Sequence, residues 1–236
     1  MPARYRSAFD GVAIREHAAI VARRAGASAH AEIWRREPQE RAVICVVADD
    51  RPGLLSFVSA SLATQRLDVI SAQAYTRTPA EGADAEAVDF LWVRRGDDPP
   101  EPIRNADAVR VAEVLGGLIA GELTIESVRR QGRDLARAPV GAATKVSFDE
   151  ARNANLSVLT VTTFDRPGLL LAITLALFRA QVQIVASDVT TENGQVVDRF
   201  TIAELDGSPV VRHRRGAVQT AVLSAIDALA EHAKVG

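Results

Sequence analysis

Apolar positions along the chain fall into two series that repeat each other 115 residues apart. The first opens on Val43-Ile44-Cys45-Val46-Val47-Ala48 and the second on Val158-Leu159-Thr160-Val161-Thr162-Thr163, each a strand-like run. Leu55, Val58 and Leu62 then match Leu170, Ile173 and Leu177, at the i, i+3, i+7 spacing of one helix face. Val69-Ile70 and Ile184-Val185 keep the same offset. Val88-Asp89-Phe90-Leu91 and Val197-Asp198-Arg199-Phe200 follow after a change of register. The first copy is longer between these points through Thr78-Pro79-Ala80-Glu81-Gly82-Ala83, a hairpin-loop insertion that a fold tolerates. Between strand and helix both copies read Asp-Arg-Pro-Gly-Leu-Leu, at 50–55 and at 165–170. Identical hexapeptides at matched positions indicate a duplicated unit.

The pattern predicts the following order. Residues 1–28 form a short lead and one helix, with Val12, Ile14, Ala18, Val21 and Ala22 apolar and Gly26 as its stop. Its mixed charge (Arg15, Glu16, Arg23, Arg24) predicts a surface helix: an arm on the first unit, or the end of a domain outside this chain. Strands at 31–34 and 41–48, helix 54–66, strands 67–77 and 86–95 and a helix over about 107–122 make the first unit, 29–128. Strict alternation sets Leu67, Val69 and Ser71 on one face and Asp68, Ile70 and Ala72 on the other. Val88, Phe90 and Trp92 share a face, and residues 96–102 form a loop. Val111, Val114, Leu115, Leu118 and Ile119 make the buried face of the second helix. Residues 129–143, rich in arginine and glycine, read as a linker. The second unit, 144–236, has a strand at Val146-Ser147-Phe148, strand 156–163, helix 169–179, strands 182–191 and 196–204 joined by an Asn193-Gly194 hairpin turn, and helix 215–232. Right-handed crossovers place both helices of a unit on one face of an antiparallel sheet, so the fold class is α+β, two ferredoxin-like units in tandem. A fourth strand must complete each sheet. Val146-Ser147-Phe148 can serve the first unit and Ile33-Trp34 the second; the sequence leaves open which sheet each joins.

Bulk properties narrow the function. A net charge of −2 over 236 residues argues against a dedicated nucleic-acid binder. The single cysteine, Cys45, forms no internal disulfide and reads as a buried inert thiol. There is no apolar stretch long enough for a bilayer and no apolar segment after Arg4 and Arg6 of signal-peptide type, so a cytoplasmic protein is expected. No metal-ligand cluster, Gly-rich phosphate loop or spaced Ser/His/Asp set stands out, and no cofactor is implied. His17, His30, His213 and His232 read as surface residues, and Gly116-Gly117 as a close helix contact. The repeated turn has chemistry of its own. Proline suits a first helical turn, glycine permits close approach, and the free N–H groups of the helix end attract an anion. An amino acid's carboxylate suits that spot, and Asp50 or Asp165 its ammonium. The same aspartates also read as helix caps, a role compatible with the first.

The strand, the Asp-Arg-Pro-Gly-Leu-Leu turn, the helix, and then Val-Gln-Ile-Val-Ala-Ser and Val-Val-Asp-Arg-Phe-Thr-Ile resemble the ACT domain, a βαββαβ regulatory fold that binds small ligands, usually amino acids. Two copies with an Arg-rich linker and Lys145-Val146-Ser147-Phe148-Asp149 resemble more narrowly the C-terminal tandem ACT region of bacterial PII uridylyltransferase/uridylyl-removing enzymes. The resemblance covers about residues 28–232. It implies a glutamine-sensing regulatory role in nitrogen metabolism, with ligand held between two ACT units by the strand-to-helix turn and the start of the next strand. Those positions are Asp50, Gly53 and Asp68 in the first copy and Asp165, Gly168 and Gln183 in the second. Ala48 and Thr163 stand where many such domains have His. Asp68 makes the first pocket the more acidic, and Gln183 favours the second for a zwitterion. The family's catalytic motifs do not match: Gly207-Ser208 lacks a following Asp-x-Asp, and no histidine precedes an aspartate. The resemblance therefore implies a non-enzymatic amino-acid sensor that pairs ACT to ACT within the chain or in a homodimer. The alternatives are a fragment or subunit working with a catalytic partner, and a ligand-independent interaction or transcription-regulating protein. No membrane or nucleic-acid partner is implied.

Overall fold

Each hexapeptide marks the same junction. In the first copy β2 (Arg41–Asp49) runs into α3 (Leu54–Thr64), and in the second β6 (Ser157–Phe164) runs into α6 (Leu169–Arg179). The computed structural model describes residues 1–78, 84–95, 101–131, 144–149, 156–192 and 195–232. Most of the insertion at 78–83, of the loop at 96–102 and of the linker, and all of the Asn193-Gly194 turn, lie outside the described residues. The other elements of the first unit are β1 (Ala29–Glu37), β3 (Leu67–Arg77), β4 (Glu86–Arg95), α4 (Asn105–Ala120) and α5 (Ile125–Gln131). Those of the second are β5 (Lys145–Asp149), β7 (Val182–Glu192), β8 (Gln195–Glu204) and α7 (Arg212–His232).

The strands form one antiparallel sheet in the order β1-β2-β4-β3-β7-β8-β6-β5. The α+β class and tandem ferredoxin-like arrangement hold, with the fourth strand supplied from the front. β1 pairs with β2 and β5 with β6, so each unit completes its own sheet and no strand is exchanged. The order within a unit is therefore ββαββα. The units join where Ser71–Ala74 of β3 pair with Ser187–Thr190 of β7. Above this seam, Leu171 and Leu175 of α6 share an apolar cluster with Ala60 of α3 and Ile125 and Val128 of α5, the helix that the periodicity did not predict.

Two further differences come from packing. Strict alternation along β3 fails because a bulge leaves Ile70 out of register between Val69 and Ser71. The same bulge recurs at Val185 of β7, the repeat-equivalent position. The N-terminal segment holds two helices, α1 (Ala3–Ala8) and α2 (Gly11–Arg23), with Asp10 capping the second through Ala13 N–H at 2.8 Å. They cover the sheet face of the first unit opposite α3 and α4. Tyr5 and Ile20 pack there on Val43, Cys45, Val47, Tyr75, Val88 and Phe90. Cys45 is fully buried, and burial pushes its thiol up. Gly116 and Gly117 do mark close contacts, since a Cβ at Gly117 would lie 2.9 Å from Leu123.

His17 is not a surface residue. It is 1% exposed, faces Phe90 and Trp34 at centroid distances of 4.2 and 4.1 Å, and shares a hydrogen bond of 2.7 Å between Nδ1 and the Tyr5 hydroxyl. Burial pushes its imidazole from 6.5 down to about 4. Below pH 6.5 the unfolded chain takes a proton that the folded chain refuses. The stability tied to His17 is thus complete above pH 6.5 and lost as pH falls toward 4. Urea midpoints measured between pH 7 and pH 4 should fall in the wild type, and the fall should be smaller in His17→Gln.

Candidate functional site

The turn of each copy is a type II β-turn. Leu54 N–H closes onto Arg51 C=O at 3.2 Å, and Leu169 N–H onto Arg166 C=O at 3.2 Å. Gly53 (φ 81, ψ 0) and Gly168 (φ 75, ψ 7) hold the third position, where φ must be positive. The proline therefore sits second in the turn, one residue ahead of the helix cap, and not in the first helical turn. Neither aspartate caps its helix: the cap residue is the glycine, with no side-chain bond. The arginine is structural in both copies. Arg51 donates to the carbonyl of Ile119 at 3.1 Å, and the buried Arg166 to Thr163 Oγ1 at 2.9 Å and Ile226 C=O at 3.5 Å. Each turn is thereby tied to the second helix of its own unit. Thr163 and Ala48 are fully buried, and Thr163 is committed to Arg166 and Thr144.

A crossover helix returns the chain to the far end of the sheet, so the strand after a turn starts away from that turn. The antiparallel seam brings the other copy's strand to it instead. The Asp50 turn meets Val182, Ile184 and Val185 of β7 and Phe178 of α6. Asp165 accepts from Arg94 Nη2 at 2.7 Å, and Arg94 lies across from Asp68 at the start of β3. The expected groupings of Asp50 with Asp68, and of Asp165 with Gln183, are therefore crossed. Asp68 and Gln183 also alternate away from the helix-side residues Leu67, Val69, Val182 and Ile184. Gln183 consequently does not join Asp165 to favour the second copy.

The two corners differ in filling. At the first, Asp50 accepts from Thr76 Oγ1 at 2.8 Å, and the Phe178 ring lies on Gly53, leaving a small hollow of about 30 Å³. At the second, nothing lies within 4 Å of a Cβ placed on Gly168. Behind each turn, on the helix-facing side, stands an acid of the unit's fourth strand, β4 or β8, that the sequence reading passed over. Asp89 lines the first hollow, and burial with nearby Asp50 raises its carboxyl to about 7. Asp198 is 1% exposed, and burial, with Asp165 and Asp188 nearby, raises its carboxyl well above the ordinary carboxylate range. Neither of its carboxyl oxygens, nor Ser187 Oγ, has a hydrogen-bond partner. An unsatisfied buried polar group costs about 1–3 kcal/mol. The signal was available: at matched positions Asp89 interrupts the otherwise apolar run 87–93 and Asp198 the apolar series Val196, Phe200 and Ile202.

Phe178 makes the glycines separable by mutation. Gly168→Ala meets only backbone strain, about 1 kcal/mol. Gly53→Ala also drives its Cβ to 2.6 Å from Phe178 Cδ2, for a total of about 2–4 kcal/mol. Denaturation midpoints should show that gap, and Phe178→Ala in the Gly53→Ala background should narrow it.

Among the described residues there is no cluster of metal-ligating side chains, and no helix is long and apolar enough to cross a membrane. No protein-family model matches the chain. A bifunctional uridylyltransferase/uridylyl-removing enzyme of Bradyrhizobium diazoefficiens is 29% identical over 185 residues, 78% of this chain and 19% of that protein. One of Phenylobacterium zucineum is 28% identical over 225 residues, 94% of this chain and 23% of that protein. A crystal structure of aspartate kinase from Synechocystis aligns at TM-score 0.42 and 14% identity, over 80% of this chain and 27% of that one. The chain spans about a fifth of the length of the curated relatives it matches. Over most of its own length it is similar to a segment of bifunctional uridylyltransferase/uridylyl-removing enzymes.

Proposed function

We propose that the chain is a non-catalytic regulatory module that senses a small amino-acid ligand, glutamine foremost, at the corners between its two units. The observation that carries this reading is that each glycine turn abuts the other copy across the seam. A ligand at either corner touches both units, so its binding energy acts on how they fit together. The chemistry suits a zwitterion. The first turn of an 11-residue helix offers N–H groups to a carboxylate, and Asp165 an acceptor to an ammonium. The sequence likeness supports a link to uridylyltransferase/uridylyl-removing activity. The catalytic part would lie in the same polypeptide or in a partner protein.

Calorimetric titration with the twenty amino acids should give binding by glutamine, and Asp165→Ala should weaken it about tenfold while the protein stays folded. No heat from any of the twenty would defeat the ligand claim. Turnover of UTP by the isolated chain would defeat the non-catalytic one.

A further inference from the structure

The two corners share a backbone and differ in what they lack. At the first, both acids have a partner: Thr76 serves Asp50, and the Tyr75 backbone N–H serves Asp89, while Arg51 Nε is left without one. Phe178 seals the glycine. At the second, the residue in the place of Phe178 is Ala63, and the glycine is open. Asp198, the equivalent of Asp89, is buried with both oxygens unpartnered. Val189 faces Asp198 and Ser187 faces Phe200 across β7 and β8, so Ser187 and Asp198 lie on one side of the sheet, a diagonal step of roughly 7–8 Å apart. Ser187 replaces Ala72 of the first copy and is likewise buried and unpartnered. The nearby carboxylates are Asp165 at the turn and Asp188, which pairs with Arg199 on the opposite face of the sheet. The Arg94 guanidinium is committed to Asp165, and Asp198 and Ser187 have no donor facing them.

We propose that the second corner is the chain's working site, with Asp198 and Ser187 as the anchor for a primary ammonium, and that the first corner is its closed structural counterpart. The ligand class is a small zwitterion. Its ammonium sits between Asp165, Asp198 and Ser187, and its carboxylate takes the start of α6 and the Arg94 guanidinium. Arg94 is 40% exposed and now holds Asp165, so it can exchange that partner for the ligand's carboxylate without leaving the corner. The inference rests on the amino-acid-sensing reading above and adds which corner works and which residues read the ammonium.

The test is calorimetry on the whole chain with L-glutamine and with glutaramate, the same molecule without its amino group. The expected results are one glutamine per chain, no binding of glutaramate, at least tenfold weaker binding in Asp198→Asn, several-fold weaker binding in Ser187→Ala, and wild-type binding in Asp89→Asn. The Asp198→Asn protein should melt no lower than wild type, since it loses a buried acid without a partner. Two glutamines per chain, glutaramate bound as well as glutamine, or unchanged affinity in Asp198→Asn and Ser187→Ala would overturn this assignment and leave the sensing role standing. Failure of the wild type to bind any amino acid would remove the sensing role and this assignment together.

Discussion

Antiparallel pairing of β3 with β7 is the constraint on which the other features depend. Four residue pairs, Ser71–Ala74 with Ser187–Thr190, turn two four-stranded sheets into one of eight strands. An unpaired β3 or β7 would be an exposed edge with free N–H and C=O groups, open to wrong partners. The direction of pairing matters as much as its existence. A crossover leaves each glycine turn at the end of the sheet remote from the start of its own next strand. Only reversal of the second unit against the first sets that turn beside a strand start. The composite corners, the Arg94–Asp165 bond and the seat of Phe178 on Gly53 all follow from this reversal.

The two sheet faces show how one backbone accepts different surroundings. β2 is buried along its whole middle, and its open face carries Val43, Cys45 and Val47 under α1 and α2. β6 alternates buried and half-buried positions, with Thr160 and Thr162 where β2 has Cys45 and Val47. Across the sheet, Phe90 is answered by an exposed Arg199. A strand covered on both faces needs an unbroken apolar run, and one open to water on one face needs alternation. The N-terminal helices are thus part of the first unit's core, and the aromatic cage around His17 and Tyr5 is what they bring to it.

That difference was written in the sequence. Residues 42–48 are apolar without a break, while 158–163 alternate with threonine, and a two-sided core could have been read from the contrast. The duplicated hexapeptide and the offset of 115 gave the unit count, the strand order within each unit and most element bounds. Three things were not legible. Bulges at Ile70 and Val185 are set by pairing across strands, so local alternation misassigned Ser71 and Ala72 beyond the first of them. Completion of each sheet by its own leading strand depends on which edge is nearer in space. The crossing of the corners depends on the orientation of one unit against the other, which no local pattern encodes. Asp68 and Gln183 were therefore grouped with the wrong turns, although all four glycine and aspartate positions of the turns themselves lie at the seam.

Covalent tandem linkage has a consequence that a symmetric dimer cannot share. In a homodimer of one unit, every residue at one corner is repeated at the other, so a substitution that closes one closes both. Here the equivalents have separated: Phe178 against Ala63, Arg94 against Ala203, Ser187 against Ala72. Together these changes leave one corner filled, with its acids partnered, and the other open, with buried acceptors unpaired. Unpaired buried acceptors are a standing cost to the fold, and a cost confined to one corner is easier to carry in a protein of ordinary marginal stability. The closed corner holds the seam in register by packing, while the open one keeps the strain that a ligand would relieve. That division gives a physical reason for two copies in one chain where a single copy pairing with itself would have supplied the same sheet.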